Sequence, residues 1–188
     1  HMSYFDIMIL SSIQPSVFVT SVEMEKTFFL GDMAKMGGSF FVDRRNRRNM
    51  KAEVERLIQL LKDGFNVFIF PEGTSTDGSE ILPFKKSLFR VPYLTSFPIL
   101  PICLEYTHID GEPFSKENCD RICWYGDMTF APHFMQFMAI KELRAKVTYL
   151  NPLNPSNFSS HGELCLAAQE QILGAYPSSV SYTHLRAH

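Results

Sequence analysis

A histidine and an aspartate at the start of the chain have a spacing that general-base chemistry could use. His1 precedes Asp6 by five positions, and an apolar run, residues 7–10, follows at once. Two helical residues with this spacing would point about 140° apart, so the helix must begin after His1 if the side chains are to meet. A carboxylate on one imidazole nitrogen fixes the tautomer, and the other nitrogen can then take a proton from a hydroxyl.

The residues between the two explain how such a helix could begin. Ser3 and Asp6 form the pattern S-x-x-D before an apolar run, which is a capping box with Ser3 at the N-cap and Asp6 at N3. His1 would then lie just outside the helix, within reach of the carboxylate. Two plainer explanations compete with catalysis: an aspartate that only caps a helix, and a His-Met remnant of a cleaved purification tag.

Composition limits the classes of protein that need to be considered. The chain has 188 residues, of which 45% are hydrophobic and 20% charged, so it fits one globular domain. A net charge of −2 argues against a general nucleic-acid-binding protein. No run of 18 apolar residues occurs, so no segment is predicted to span a bilayer. Four cysteines without a C-x-x-C pair or a secretory signal favour reduced thiols in a domain that faces the cytosol.

Both ends of the sequence have features of a fragment. The last nine residues, 180–188, resemble the translation of a sequencing adapter, and we exclude them from the fold. A chain that opens on its best catalytic candidate also suggests a domain truncated at its N-terminus. We therefore predict one domain over residues 1–179.

Apolar runs alternate with helical patterns along this domain. The alternation predicts an α/β fold with a mostly parallel central sheet flanked by helices. Predicted strands cover residues 17–20, 39–42, 66–70, 97–104, 121–125 and 144–150, and predicted helices cover residues 4–14, 24–36, 49–63, 84–94, 129–140 and 163–176.

Polar segments follow two of the predicted strands. Four arginines between positions 44 and 48 could bind an anion or form a solvated helix face. The loop 72–78 follows a buried strand, and ligands of open α/β sheets bind at this edge. The acidic and histidine residues of the loop 106–120 have no ligand geometry of their own, so we predict no metal site there.

Four short sequence blocks follow one another between positions 1 and 102. They are His1-x4-Asp6, GSFFVDR at 38–44, FPEGT at 70–74 and FPILPI at 97–102. Together they resemble the 1-acylglycerol-3-phosphate acyltransferase family of lysophospholipid acyltransferases, and the similarity continues through residues 124–128 to about 179. Since the family pattern His-x-Ser-Tyr-x-Asp is uninterrupted, the resemblance also supports a native His1.

The resemblance implies transfer of an acyl group from acyl-CoA or acyl carrier protein to the hydroxyl of a lysolipid, as in phospholipid biosynthesis. No cofactor or metal is expected, and the domain would sit on the cytoplasmic face of a membrane. The residues implied in the site are His1, Asp6 and Glu72 for catalysis, Arg44, Gly73, Thr74 and Ser75 for the acceptor, and Ser21 and Lys85 beside them. Amides near Gly73 would stabilise the oxyanion.

Two positions depart from the family pattern. Ser21 and Ser75 stand where many members carry a lysine and an arginine, which removes positive charge from the presumed phosphate site. The acceptor could therefore be a lysophospholipid with a larger head group or a lyso-ornithine lipid. A lipid-binding domain without turnover and a thioester hydrolase remain alternatives.

Overall fold

The computed structural model describes residues 1–21, 40–42 and 50–177. The helix predicted for 24–36, the arginines at 44–48 and the tail 180–188 lie outside these ranges. The elements, in chain order, are α1 (Phe5–Ile13), β1 (Ser16–Ser21), β2 (Phe40–Val42), α2 (Met50–Lys62), β3 (Asn66–Ile69), α3 (Arg90–Thr95), β4 (Ile102–Ile109), β5 (Glu112–Pro113), α4 (Phe130–Met138), β6 (Leu143–Tyr149) and α5 (His161–Ala175).

The first half of the chain forms a parallel three-stranded sheet in the order β2-β1-β3. Val17 of β1 pairs with Val67 of β3, and residues 67–69 of β3 are partly buried. Phe18 is fully buried and stacks on Phe68, with ring centroids 5.0 Å apart. The amphipathic helix α2 packs Leu57 into the same layer. This half confirms the predicted α/β arrangement.

The second half corrects the predicted sheet. Strands β5, β4 and β6 form a separate antiparallel sheet in the order β5-β4-β6. A two-residue turn joins β4 to β5, where Asp110 and Gly111 both adopt positive φ, 52° and 87°, as a tight hairpin requires. Strand β6 pairs with β4 along its other edge. Residues 106–109, which were predicted to begin the loop 106–120, instead belong to strand β4. Residues 121–125 are not a strand, because Cys119–Arg121 form a 3-10 helix and the residues after it are irregular, with Ile122 and Cys123 buried in the core.

The core that supports the site lies between the start of the chain and β4. Met2 packs with Tyr106, Ile109, Ile122 and Cys123 in one buried cluster. A second cluster joins Phe89 to helix α5. All four cysteines are buried free thiols. Within the described ranges, no helix is both long and apolar enough to cross a membrane.

Candidate active site

The structure brings His1 and Asp6 together. Nδ1 of His1 lies 2.6 Å from Oδ2 of Asp6, and helix α1 begins at Phe5, so the histidine precedes the helix as predicted. The carboxylate also accepts hydrogen bonds from the Met2 amide at 2.8 Å and from the Ser3 amide at 3.3 Å. Asp6 is 1% exposed, so these contacts replace the water that a carboxylate would otherwise bind.

The capping box is only half formed, which corrects the prediction for Ser3. The Ser3 amide does donate to Asp6, but the N-cap residue is Tyr4, and it has no side-chain cap. The Asp6 amide donates to the Ser3 carbonyl at 3.1 Å. This backbone bond uses the donor that a capping serine hydroxyl would have bound. The buried Ser3 hydroxyl has no partner among the described residues.

His1 is held by one contact of its ring and one of its main chain. Its ring stacks on Phe70, which follows β3, with centroids 3.9 Å apart and an interplanar angle of 19°. The His1 carbonyl accepts a hydrogen bond from the Thr76 amide at 3.0 Å. Within the described ranges, no hydrogen bond to Nε2 of His1 is found.

Glu72 is adjacent to His1, but its carboxylate binds the main chain. Oε1 lies 2.5 Å from the main-chain nitrogen of His1, and Oε2 accepts a hydrogen bond from the Leu82 amide at 2.9 Å. Glu72 is only 6% exposed. The Leu82 contact holds the Glu72 carboxylate beside His1.

The rest of that loop is arranged differently from the sequence expectation. Gly73 has φ +71°, and a side chain there would overlap Lys85, whose exposed side chain lies across the glycine. The Gly73 amide donates to the Phe70 carbonyl at 3.1 Å, so it already has an acceptor. The Ser75 hydroxyl donates to the Trp124 carbonyl. Thr74 is exposed.

The remaining predicted site residues are Ser21 and Arg44. Ser21 is the last residue of β1 and is paired with Val42, so its backbone lies at the carboxyl edge of the parallel sheet, where the Glu72 loop also begins. Arg44 lies outside the described residues.

Burial governs the electrostatics of the pair. Desolvation raises the pKa of Asp6, and hydrogen bonds from Tyr106, Met2 and Ser3 oppose that rise. Burial also raises the pKa of the Cys103 and Cys123 thiols. Thiols of this kind are weak nucleophiles at neutral pH.

A cavity of about 1160 Å³ opens beside the pair. His1, Asp6 and Glu72 contribute polar groups to its wall. Much of the remaining wall is apolar and includes Leu10, Phe70, Phe84, Phe89, Phe97, Ile99 and Ile172. Other phenylalanines only pack in the interior, as Phe5 does against Phe137. The sequence therefore contains both groove-lining and core aromatic residues.

Contacts made by three residues of the site, Phe70, Trp124 and Tyr106, were not anticipated from the sequence. Phe70 is the first residue of the block FPEGT, so this block could have indicated that an aromatic ring lies next to His1. The Trp124 carbonyl accepts a hydrogen bond from the Ser75 hydroxyl, and the Trp124 amide donates one to the Met2 carbonyl at 2.9 Å. Tyr106 donates its hydroxyl to Oδ1 of Asp6 at 2.6 Å. No local pattern marks the last two residues, because each contact joins distant parts of the chain.

The fold and the site define an α/β protein with a buried histidine–aspartate pair beside an apolar cavity. The model of the family described as Acyltransferase matches residues 1–105. The chain belongs to this family, which confirms the resemblance to lysophospholipid acyltransferases.

The similar proteins include acyltransferases named for two different acceptors. The chain is 33% identical over 177 residues to a lyso-ornithine lipid O-acyltransferase of Rhodobacter capsulatus, covering 92% of this chain and 62% of the relative. It is 27% identical over 150 residues to a 1-acyl-sn-glycerol-3-phosphate acyltransferase of Neisseria gonorrhoeae, covering 80% and 56%. The chain thus spans more than half, but less than two thirds, of the length of these relatives.

A solved structure shares the fold. The 1-acyl-sn-glycerophosphate acyltransferase PlsC of Thermotoga maritima aligns with a TM-score of 0.56 and 20% sequence identity, covering 99% of this chain and 66% of that one. This likeness confirms the predicted α/β class.

Proposed function

We propose that the protein transfers a fatty acyl group from acyl-CoA or acyl carrier protein to the hydroxyl of a lysolipid. The observation that carries the proposal is the His1–Asp6 pair, in which Nδ1 is bound at 2.6 Å while Nε2 has no bond to a described residue. Such a pair is suited to a general base. The family membership supplies the reaction class.

In the proposed mechanism, His1 Nε2 takes the proton of the acceptor hydroxyl as its oxygen attacks the thioester carbonyl carbon. Asp6 stabilises the imidazolium that forms. The tetrahedral intermediate then collapses, the carbon–sulfur bond breaks, and the imidazolium returns the proton to the departing thiolate. The products are an ester and a free thiol, and no acyl-enzyme is needed.

The cavity is the proposed site of the acyl chain. Its apolar wall would remove hydrocarbon from water, which is favourable by about 25 cal/mol per Å² of apolar surface. Its polar wall contains the base, so a chain bound there would bring its carbonyl towards His1. This arrangement uses the aromatic residues of the wall without assigning a role to those that pack in the core.

For the acceptor, we propose a lyso-ornithine lipid rather than a phosphate monoester. A phosphate near neutral pH carries nearly two negative charges, whereas Ser21 and Ser75 provide no charge and the Ser75 hydroxyl is engaged by Trp124. Lys85 beside Gly73, with Arg44 as a second proposed cation, suits the single carboxylate of an ornithine head group. The name of the Rhodobacter capsulatus relative supports this choice.

The deciding experiment measures thiol release from acyl-CoA with lyso-ornithine lipid, with 1-acylglycerol-3-phosphate and with no acceptor. We expect release and ester formation with the ornithine lipid, and slower turnover with the phosphate. Release without any acceptor would identify a thioester hydrolase. Lipid binding without release would identify a binding domain, and faster turnover with the phosphate would reverse the acceptor assignment.

We also propose that the protein acts at the cytoplasmic face of a membrane as a peripheral protein, because its acceptor is a membrane lipid. No nucleic-acid partner is proposed. Sedimentation of the full-length protein with vesicles that contain the lysolipid, before and after washing with salt or carbonate, tests the attachment. Recovery in the supernatant with every vesicle composition would argue against it.

A further inference from the structure

Tyr106 is a buried residue that the proposed reaction does not yet use. It lies on β4, and its hydroxyl donates to Oδ1 of Asp6 at 2.6 Å although the two residues are 100 positions apart. The other donors to this carboxylate, from His1, Met2 and Ser3, all bind Oδ2. In the described part of the chain, Tyr106 is therefore the one donor found for the second oxygen.

The surroundings keep this phenol in place. Tyr106 is 4% exposed and packs in the cluster of Met2, Ile109 and Ile122. Burial, followed by the negative charge of Asp6, raises the pKa of Tyr106 well above its ordinary value. The phenol thus stays protonated and remains a donor at every pH at which the enzyme would work.

We infer that Tyr106 is a positioning residue, which holds the Asp6 carboxylate in the orientation that serves His1 and sets the proton affinity of the pair. This inference rests on the proposed function for its kinetic consequences. A donor on Oδ1 draws negative charge away from Oδ2 and weakens the hold of the carboxylate on an imidazolium. It also prevents rotation of the carboxylate about its Cβ–Cγ bond. The antiparallel sheet thereby has a direct role in the site.

The other titratable groups around Asp6 do not provide the same control. Tyr4 and Cys123 are buried, and burial raises the pKa of both, so they are uncharged near neutral pH. Glu72 binds the main chain of His1 and not the imidazole. Among the described residues, the imidazole of His1 and the phenol of Tyr106 are the two side chains that bind the carboxylate directly.

The test is Tyr106→Phe in the full-length protein, with Tyr125→Phe as the matched control. Tyr125 also donates to a carboxylate, that of Asp120 at 2.8 Å, but at the exposed surface. For Tyr106→Phe we expect kcat to fall by about 10-fold, with KM for both substrates nearly unchanged. The acid limb of the pH profile should move upward by roughly half a unit, because the carboxylate holds the imidazolium more tightly. The control should match the wild type.

A second variant keeps the shape of the side chain. Tyr106→3-fluorotyrosine retains the packing but makes the phenol a stronger donor, so the acid limb should move downward. This variant decides the question if Tyr106→Phe does not fold. An unchanged pH profile in the fluorinated protein, or a folded Tyr106→Phe enzyme with wild-type kcat, would overturn the inference.

A readout that needs no turnover separates this inference from the proposed function. The imidazole of His1 can be titrated by NMR in the wild type and in both variants, with opposite shifts expected for the two. If the wild type transfers no acyl group but the shifts appear, the proposed function fails and the positioning role stands. If the wild type is active and the titration does not move, only the positioning role fails.

Discussion

At the scale of single residues, the site depends on a histidine whose orientation is set by a buried anion. His1→Ala in the full-length protein should lower kcat/KM by roughly 10²- to 10⁴-fold, which is the usual worth of a general base. Asp6→Asn should also reduce turnover strongly, because an amide cannot stabilise the imidazolium. Thiol release with lyso-ornithine lipid measures both effects. His161→Ala, on the first residue of α5, is the control, and near-normal turnover in Asp6→Asn would return Asp6 to a structural role.

A second residue-scale prediction concerns the cation beside the glycine turn. Lys85 lies across Gly73 with an exposed ammonium group. Because exposed ion pairs contribute about 0.5 to 1 kcal/mol, Lys85→Ala should raise KM for lyso-ornithine lipid, whose carboxylate the lysine would bind, by about 2- to 5-fold. KM for acyl-CoA should change less. The effect should shrink at high salt, where exposed charges are screened.

Lys62, in the last turn of α2, provides the control for this prediction, since it is an exposed lysine outside the site. Lys62→Ala should leave both KM values unchanged. Equal changes in both KM values for Lys85→Ala would mean that the lysine does not contact the acceptor selectively.

At the scale of elements, helix α5 supports the cavity from outside. Its buried residues Leu164, Cys165 and Ala168 pack against Phe89, and the helix begins at a capped turn. The Ser160 hydroxyl accepts a hydrogen bond from the Glu163 amide at 3.2 Å, and the Glu163 carboxylate accepts one from the Ser159 amide at 3.0 Å. These reciprocal bonds satisfy donors that the first helical turn would leave unpaired.

The cap gives a measurable stability difference. Ser160→Ala should lower the free energy of unfolding by about 1 kcal/mol, whereas Ser156→Ala, at an exposed serine before the helix, should change it by less than about 0.5 kcal/mol. Denaturant unfolding of both variants provides the comparison. Equal stability of the two variants would show that the cap contributes little to holding α5 against the cavity.

The elements also show what the sequence could and could not predict. The parallel sheet was predictable because short apolar runs alternate with helical patterns in this half of the chain. The sequence Asp110-Gly111 was the signal for the β4–β5 hairpin, and because it was overlooked, residues 106–109 were predicted as loop. The strand predicted at 121–125 was also wrong. The His1–Asp6 contact was predictable because it is local. The contact between Asp6 and Tyr106 was not, since only the packing of β4 on α1 brings these residues together.

At the scale of the whole molecule, stability should depend on pH through His133. This residue lies on α4, is 4% exposed, and has Nδ1 2.9 Å from the Tyr4 hydroxyl. Burial lowers the pKa of His133, so the folded state holds the imidazole neutral. An unfolded chain binds a proton at a pH of about 6.5. Stability is therefore fully present above that pH and falls as the pH decreases towards the lowered folded pKa.

Denaturant unfolding across a pH series measures this dependence. Below pH about 6.5 the loss should approach ~1.4 kcal/mol per pH unit from this one group. His133→Gln should flatten that part of the curve, whatever its effect on absolute stability. His161→Gln, which changes a less buried histidine on α5, should keep the wild-type slope. A slope in His133→Gln equal to that of the wild type would mean that the acid sensitivity of the fold arises elsewhere, and that α4 accepts a charged imidazole against Tyr4.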